Sequence, residues 1–531
     1  MESQIFDYIV VGAGSAGSVL ANRLSANGKH RVLLLEAGRA SHPWSRIPIG
    51  FGKLIDNPAA NWCYDSEPED STGQRRIPVP RGRLLGGSSS INGMVFVRGQ
   101  SHDYDHWAQL GNRGWSYSDV LPVFKRMESY DGGDDALRGR DGPLRVTDTT
   151  EGGPLYDAMI KAAEEIGIKH NPDYNGAAQD GICMTQATIN KGRRMSTAYC
   201  YLDPARGRKN LQIETEALTE ALLIEDQRCV GVRYSVGGAA REARAEREVI
   251  VSAGSINSPQ LLELSGIGNP EMLQDRGISV RHALPGVGEN LRDHYSPRMK
   301  YQVTVPGITY SDTARGLSLV GQVLRYAVNR RGFLSMPASP IRVYFRTREG
   351  LESPDATFSC LPFIAGPNRT ISPERGVTIN VNVLRSDSTG SIHVKSADPR
   401  TPPAIKFNFL SSEIDREGLL VALRKAREFM NAESLKDLVG SEIAPGATLQ
   451  TDTEILQWVR ETAETTYHPV GTCKMGSDPM AVVDDQLRVH GMQGLRVADA
   501  SIMPTLTSGN TNAPSIMIGE KASEMVLASA A

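Results

Sequence analysis

The sequence predicts an α/β protein: a Rossmann-like dinucleotide-binding domain with an α+β domain, built on an antiparallel sheet, inserted into it. Three observations predict this. Residues 7–36 run strand, glycine turn, helix, strand and acid in register. From about 300 to 460 the pattern changes to alternating apolar and polar residues and long helices. The last 70 or so residues return to strand–turn–helix units.

The first strand is Tyr8-Ile9-Val10-Val11, and the turn Gly12-Ala13-Gly14-Ser15-Ala16-Gly17 fits G-x-G-x-x-G. Gly12 permits the tight turn, Gly14 lets a pyrophosphate approach the backbone, and Gly17 lets helix and strand pack closely. The helix runs through Leu24, and its N-terminus offers unpaired N–H groups to phosphates. The second strand, Val32-Leu33-Leu34-Leu35, ends at Glu36, 19 positions after Gly17. Glu36 is suited to accept hydrogen bonds from ribose hydroxyls. The fingerprint alone does not say which dinucleotide is bound.

A loop-rich region follows at about 38–90, then helical patterns near 118–128 and 154–167 and a meander over 211–235. Glu248-Val249-Ile250-Val251 is a further strand running into glycine, with Pro259 opening the next helix. Val377-Thr378-Ile379-Asn380-Val381-Asn382-Val383 reads as a half-buried antiparallel strand. Helices are expected near 413–431 and 452–462, and a last helix after Asn512-Ala513-Pro514. The domain reading is 1–300, 301–460, and 461–531 as the return to the first domain.

Bulk properties exclude several classes. The 531 residues suffice for about two to four domains. A net charge of −3 and a pI of 6.4 give no footprint for nucleic acid. The densest basic cluster, Arg75-Arg76 with Arg81 and Arg83, reads as a solvated loop or, less simply, a phosphate contact. Six cysteines lack C-x-x-C spacing and give no zinc or disulfide framework. No basic and apolar leader precedes the first strand, and no run approaches the ~18–20 apolar residues of a membrane span. A cytoplasmic protein with reduced thiols is expected.

The second strong signal is Arg81-Gly82-Arg83-Leu84-Leu85-Gly86-Gly87-Ser88-Ser89-Ser90-Ile91-Asn92-Gly93, a backbone able to pass close to a planar or charged ligand. With it stand Gly254-Ser255-Ile256-Asn257-Ser258-Pro259, Pro285-Gly286-Val287-Gly288-Glu289-Asn290-Leu291-Arg292-Asp293-His294, Tyr467-His468-Pro469-Val470-Gly471-Thr472 and Val497-Ala498-Asp499-Ala500-Ser501. In this order the five stretches resemble the glucose–methanol–choline oxidoreductases, across nearly the whole chain. The match looks nearest the choline, sorbose and alcohol dehydrogenase branches.

The resemblance implies a glutathione-reductase-like FAD domain and a substrate-binding α+β domain. It places FAD on Gly12, Gly14, Ser15, Ala16, Gly17 and Glu36, on Arg83, Gly87, Ser88, Asn92 and Gly93, near the backbone of Thr219, and on Asp499, Ala500, Asn512 and Pro514. Relatives that tether FAD do so through a histidine just before the asparagine matching Asn92. Ile91 stands there and has no nucleophile, so FAD is expected to be non-covalent. The implied reaction is oxidation of a small-molecule alcohol, with oxygen or a quinone or other carrier taking the electrons.

Removing a hydroxyl proton as hydride leaves for flavin N5 calls for a base near neutrality, and the resemblance gives that role to His468. Asn512, 44 positions later, is expected to orient the substrate and, at the start of the last helix, to bring positive dipole to the flavin. Arg342 stands in Ser339-Pro340-Ile341-Arg342-Val343-Tyr344-Phe345 where relatives carry small and acidic residues. It either faces the pocket, binding a carboxylate or phenolate and disfavouring choline, or lies on the strand's outer face. Trp62 and Tyr467 wall an aromatic or apolar pocket or belong to the core. A primary alcohol is the expected substrate. The rival readings within the family are a hydroxynitrile lyase and a fatty-acid photodecarboxylase-type enzyme.

Overall fold

The computed structural model describes residues 4–149, 151–366 and 370–530. Its first sheet has seven strands. In spatial order Leu211–Glu214, Val32–Leu35, Gln4–Val11 and Ala239–Val251 run parallel, and Leu495–Val497 joins Ala239–Val251 on the far side, also parallel. The register sets Val10 between Leu34 and Ile250. Val32–Leu35 and Leu495–Val497 are buried throughout and Gln4–Val11 over its last four residues, as apolar strands of a parallel sheet covered on both faces should be. The strand read from Glu248 begins nine residues earlier, at Ala239. Its first half pairs with Arg228–Val236, which pairs in turn with Ala217–Glu225, so the expected meander is an antiparallel extension of this sheet.

Helix Ser15–Leu24 packs against the last helix, Asn512–Ala530. Contact is close enough that a Cβ on Gly519 would lie 2.8 Å from the Ala16 carbonyl oxygen. Arg23 and Glu520 pair across the contact at 2.7 Å. Both helix N-termini thereby sit at one end of the sheet, beside the carboxyl ends of its parallel strands.

The second sheet has six strands, all paired antiparallel: Val439–Ala444, Arg298–Val303, Gly376–Val383, Ala356–Leu361, Ile341–Phe345 and Gly181–Met184. The last of these comes from far upstream of the others. Val377, Ile379, Val381 and Phe358 fill one face beneath helix Glu413–Met430, with the rings of Phe358 and Phe429 5.0 Å apart. Burying each such side chain stabilises by about 1.5–3 kcal/mol. Strand Gly376–Val383 is buried almost throughout, against the half-exposed strand expected from its alternation. The alternation has another cause: Thr378, Asn380 and Asn382 face a cavity rather than solvent. Among the described residues no helix is long and apolar enough to cross a membrane.

Candidate active site

One cavity is lined by the ends of the parallel strands (Val11, Leu35, Ser252) and by the second sheet (Arg342, Ser359, Asn380). The carboxyl ends of parallel strands are where such sheets bind ligands. The glycine fingerprint does three separate jobs at its floor. Gly12 has φ +96°, and a Cβ there would meet the Ser252 carbonyl oxygen at 2.5 Å. A Cβ on Gly17 would lie 1.8 Å from the Gly12 oxygen, so helix and turn touch only because Gly17 has none. At Gly14 the nearest atom would be 3.9 Å away, leaving that side open to the cavity. Gly14 also caps helix Ser15–Leu24 without a side-chain hydrogen bond, so the first-turn N–H groups keep their need for an anion.

Glu36 closes one end of the cavity. Its carboxylate accepts the N–H groups of Ala13 at 3.0 Å and Gly38 at 2.8 Å. Burial pushes its carboxyl up to about 7, against those two donors and Arg83. Thr219 lines the same end, with its buried hydroxyl unpartnered. Ser15, Ala16, Gly87, Ser88, Asn92, Gly93, Asp499, Ala500 and Asn512 line the middle. Gly17, Arg83 and Pro514 lie outside the lining. Gly17 is spent on packing, and the Arg83 guanidinium stacks on the Trp62 ring at 4.7 Å. The Asp499 carboxylate is occupied by the protein itself, accepting from Gly254 N–H, Ser258 Oγ and Ser501 N–H at 2.6–2.8 Å. An acid and an open hydroxyl at one end, uncapped N–H groups in the middle and a flat glycine–serine wall beyond fit the dinucleotide FAD.

His468 lies at the other end. Tyr467 before it holds φ +71°, an uncommon conformation for a bulky residue, gripped by three hydrogen bonds. Its N–H donates to Thr465 Oγ1, its carbonyl accepts from Arg81 and its hydroxyl accepts from Arg298. Buried Asp293 sets the position of both histidines, accepting the backbone N–H of His468 at 2.9 Å and of His294 at 2.7 Å. Burial pushes the Asp293 carboxyl up to about 6, opposed by Thr465, Arg81 and those N–H groups.

The hydrogen bonds fix the tautomer of His468. His294 Nε2 lies 2.7 Å from the Leu384 carbonyl oxygen, which only accepts, so that nitrogen carries the proton. Burial drops His294 to about 4, so its ring is neutral and its Nδ1 is an acceptor. His468 Nδ1, 3.0 Å away, must then donate. Thr466 Oγ1, at 2.9 Å, is a second acceptor for the same hydrogen. His468 is itself held well below the usual imidazole range by burial and by His294, Arg81 and Arg342. Its Nε2 is therefore unprotonated, with its lone pair at the cavity. One consequence is measurable. With the folded pKa depressed, flavin reduction by substrate should stay flat down through pH 6.5, its acidic limb lying below that of a free imidazole. A stopped-flow pH series checks this; a limb above 6.5 contradicts it.

The two asparagines before the last helix differ in what they touch. Asn512 does not reach His468: its Oδ1 accepts from Ser15 Oγ at 2.8 Å, because the residue that opens the last helix turns toward the first helix. Asn510, two residues earlier, donates Nδ2 to His468 Nε2 at 2.9 Å, and its buried Oδ1 has no partner. His294, Asp293 and Asn510 were missed as site residues. The Asp293-His294 pair ends the 285–294 motif, and of the two asparagines in Gly509-Asn510-Thr511-Asn512 it is Asn510 that touches His468.

Of the expected substrate residues, Arg342, Trp62 and Tyr467 all line the cavity. The basic cluster is neither solvated as a group nor shown to hold phosphate. Arg75 braces the backbone of Arg460 and Ala463, and Arg81 holds Tyr467.

Comparison with known proteins agrees with this geometry. Models of the GMC oxidoreductase N- and C-terminal parts match residues 6–296 and 386–519. The chain is 42% identical over 528 residues to an oxygen-dependent choline dehydrogenase of Brucella suis, covering 98% of this chain and 95% of that protein. It is 43% identical over 525 residues to another so named from Rhizobium johnstonii, with the same coverage. Formate oxidase superposes with a TM-score of 0.93 at 27% identity, covering 100% of this chain and 99% of that one. Pyridoxine 4-oxidase from "Mesorbium loti" superposes with a TM-score of 0.88 at 29% identity, covering 98% and 99%. The chain belongs to the GMC oxidoreductase family and is an FAD-dependent oxidoreductase acting on CH–OH donors.

Proposed function

We propose that this enzyme oxidises a primary alcohol to the carbonyl with His468 Nε2 as the base. The observation that carries the reading is the unprotonated His468 Nε2 at the cavity, held by the Asn510 amide N–H and beside the unpartnered Asn510 Oδ1. Bound FAD supplies the hydride acceptor. His468 takes the hydroxyl proton, and a positive charge forming there is stabilised by its Nδ1–H bond to His294. Asn510 orients the alcohol oxygen through its amide. Thr466 and Asp293 keep the imidazole plane fixed while it gains the proton.

FAD sits without a covalent tether in this reading: Ile91 lines the cavity, and its alkyl side chain offers no nucleophile. Oxygen is the best supported electron acceptor, since the curated relatives are named oxygen-dependent and matched structures are oxidases.

The test is anaerobic. Primary alcohols should bleach the yellow holoenzyme in the dark. A lyase or a photoenzyme of the same fold would stay yellow, and that outcome across a broad alcohol panel would overturn the reading.

A further inference from the structure

We propose that the alcohol carries a carboxylate, and that Arg342 binds it. The inference rests on the alcohol-oxidising reading above. Arg342 stands on strand Ile341–Phe345, is 7% exposed and lines the cavity that His468 lines. Its Nε donates to the Tyr344 hydroxyl at 2.9 Å. Its two terminal nitrogens have no hydrogen bond, and the guanidinium has no ion pair, among the described residues. A guanidinium taken out of water without an anion is destabilising, so this arrangement is complete only with a negative partner. The planar fork matches a carboxylate.

The sheet register supplies the rest of the seat. Arg342 lies opposite Ser359, Ser359 opposite Asn380, and Asn380 opposite Arg298. All four line the cavity as one cross-strand row. The cation at the far end is already neutralised, since Arg298 pairs with Glu464 at 2.7 Å. In the middle, Ser359 has a hydroxyl and Asn380 an amide group that can donate. Arg342 is thus the free positive charge of this row.

The acids tell the same story by their places. Glu36 and Asp499 are the acidic residues of the lining. Both are spent on backbone N–H groups or hydroxyls at the nucleotide side. Among the described residues, a quaternary ammonium substrate would find no carboxylate lining the His468 end and would meet the Arg342 charge. The chain therefore departs from the substrate named for its curated relatives, although it shares 42% of its residues with one of them.

The experiment uses holoenzyme and anaerobic flavin reduction. Three pairs that differ by a carboxylate in place of a methyl group are compared: glycolate with ethanol, 4-hydroxybutanoate with butan-1-ol, and 4-(hydroxymethyl)benzoate with 4-methylbenzyl alcohol, with choline alongside. The acid of at least one pair should be preferred roughly tenfold to a hundredfold in kcat/KM, carried mostly by KM. Arg342→Met should collapse that ratio, and Arg342→Lys should restore part of it. Should Arg342→Met fail to fold, benzoate and butanoate titrated against the flavin spectrum of wild type and Arg342→Lys give the second readout, with weaker binding expected in the lysine variant. Equal or better reduction by neutral alcohols or choline overturns the carboxylate while leaving alcohol oxidation standing. An acid preference that survives Arg342→Met overturns the role of Arg342. Failure of every alcohol, charged or not, overturns both readings.

Discussion

His468→Ala should keep its FAD and lose alcohol-driven flavin reduction by about 10²–10⁴-fold. Cofactor retention is expected because the nucleotide seat proposed for the 12–17 turn, Glu36 and the 87–93 wall does not use the imidazole. The loss is expected because no neighbour can substitute. Asn510 and Thr466, its hydrogen-bond partners, are not bases near neutral pH. His294 is neutral, but its proton is committed to the Leu384 carbonyl and its ring drops to about 4. Anaerobic stopped-flow absorbance separates the two halves of the claim. An intact flavin spectrum with slow bleaching supports it, and near-normal bleaching removes His468 from the role of base.

Glu128→Ala should destabilise the protein by about 3–5 kcal/mol, the cost of leaving buried charges unpaired. Glu128 lies at 0% side-chain exposure between Arg98 at 1% and Arg138 at 0%. One carboxylate accepts from both guanidinium groups and from the Gly139 N–H at 2.9 Å. Among the described residues, removing it leaves Arg98 without a carboxylate and Arg138 with that of Asp173 alone, where water cannot reach them. Arg138 keeps Asp173 and the Gln186 amide oxygen, whereas Arg98 keeps neutral partners such as the Leu137 carbonyl. Glu128→Gln, which preserves shape and an acceptor, should lose less. Urea denaturation of the holo forms checks the order, and an unchanged midpoint for Glu128→Ala contradicts it. The defect should also reach the cavity wall. Gln186 accepts from the Tyr174 hydroxyl, the Tyr174 ring lies 5.6 Å from Tyr344, and Tyr344 accepts from Arg342.

Local chemistry in the sequence was enough to anticipate the backbone geometry of the 12–17 turn. Glycines 12, 14 and 17 and the acid at 36 are close in the chain, and each needs a specific backbone freedom or charge that few residues provide. Pairings over long distances were not legible. Gly181–Met184 reaches the second sheet from more than 150 residues before its partner Ile341–Phe345, and nothing in either segment names the other. The face occupied by Arg342 was equally hidden. Its strand is buried on both sides, so alternation separates two sets of residues without saying which set meets the cavity. Asn510 was lost for a subtler reason. The start of the last helix is readable from Asn512 and Pro514, but the side chain that reaches His468 belongs to the loop just before it.

The second sheet assigns its two faces to different tasks. Residues 377, 379 and 381 pack beneath the helix, and residues 378, 380 and 382, interleaved with them, look into the cavity. Selection or a designer can therefore rewrite what this enzyme recognises by changing every second residue of a strand, while the intervening residues keep the scaffold's cohesion untouched. A family that shares one flavin frame can in this way explore many alcohols at little risk to folding.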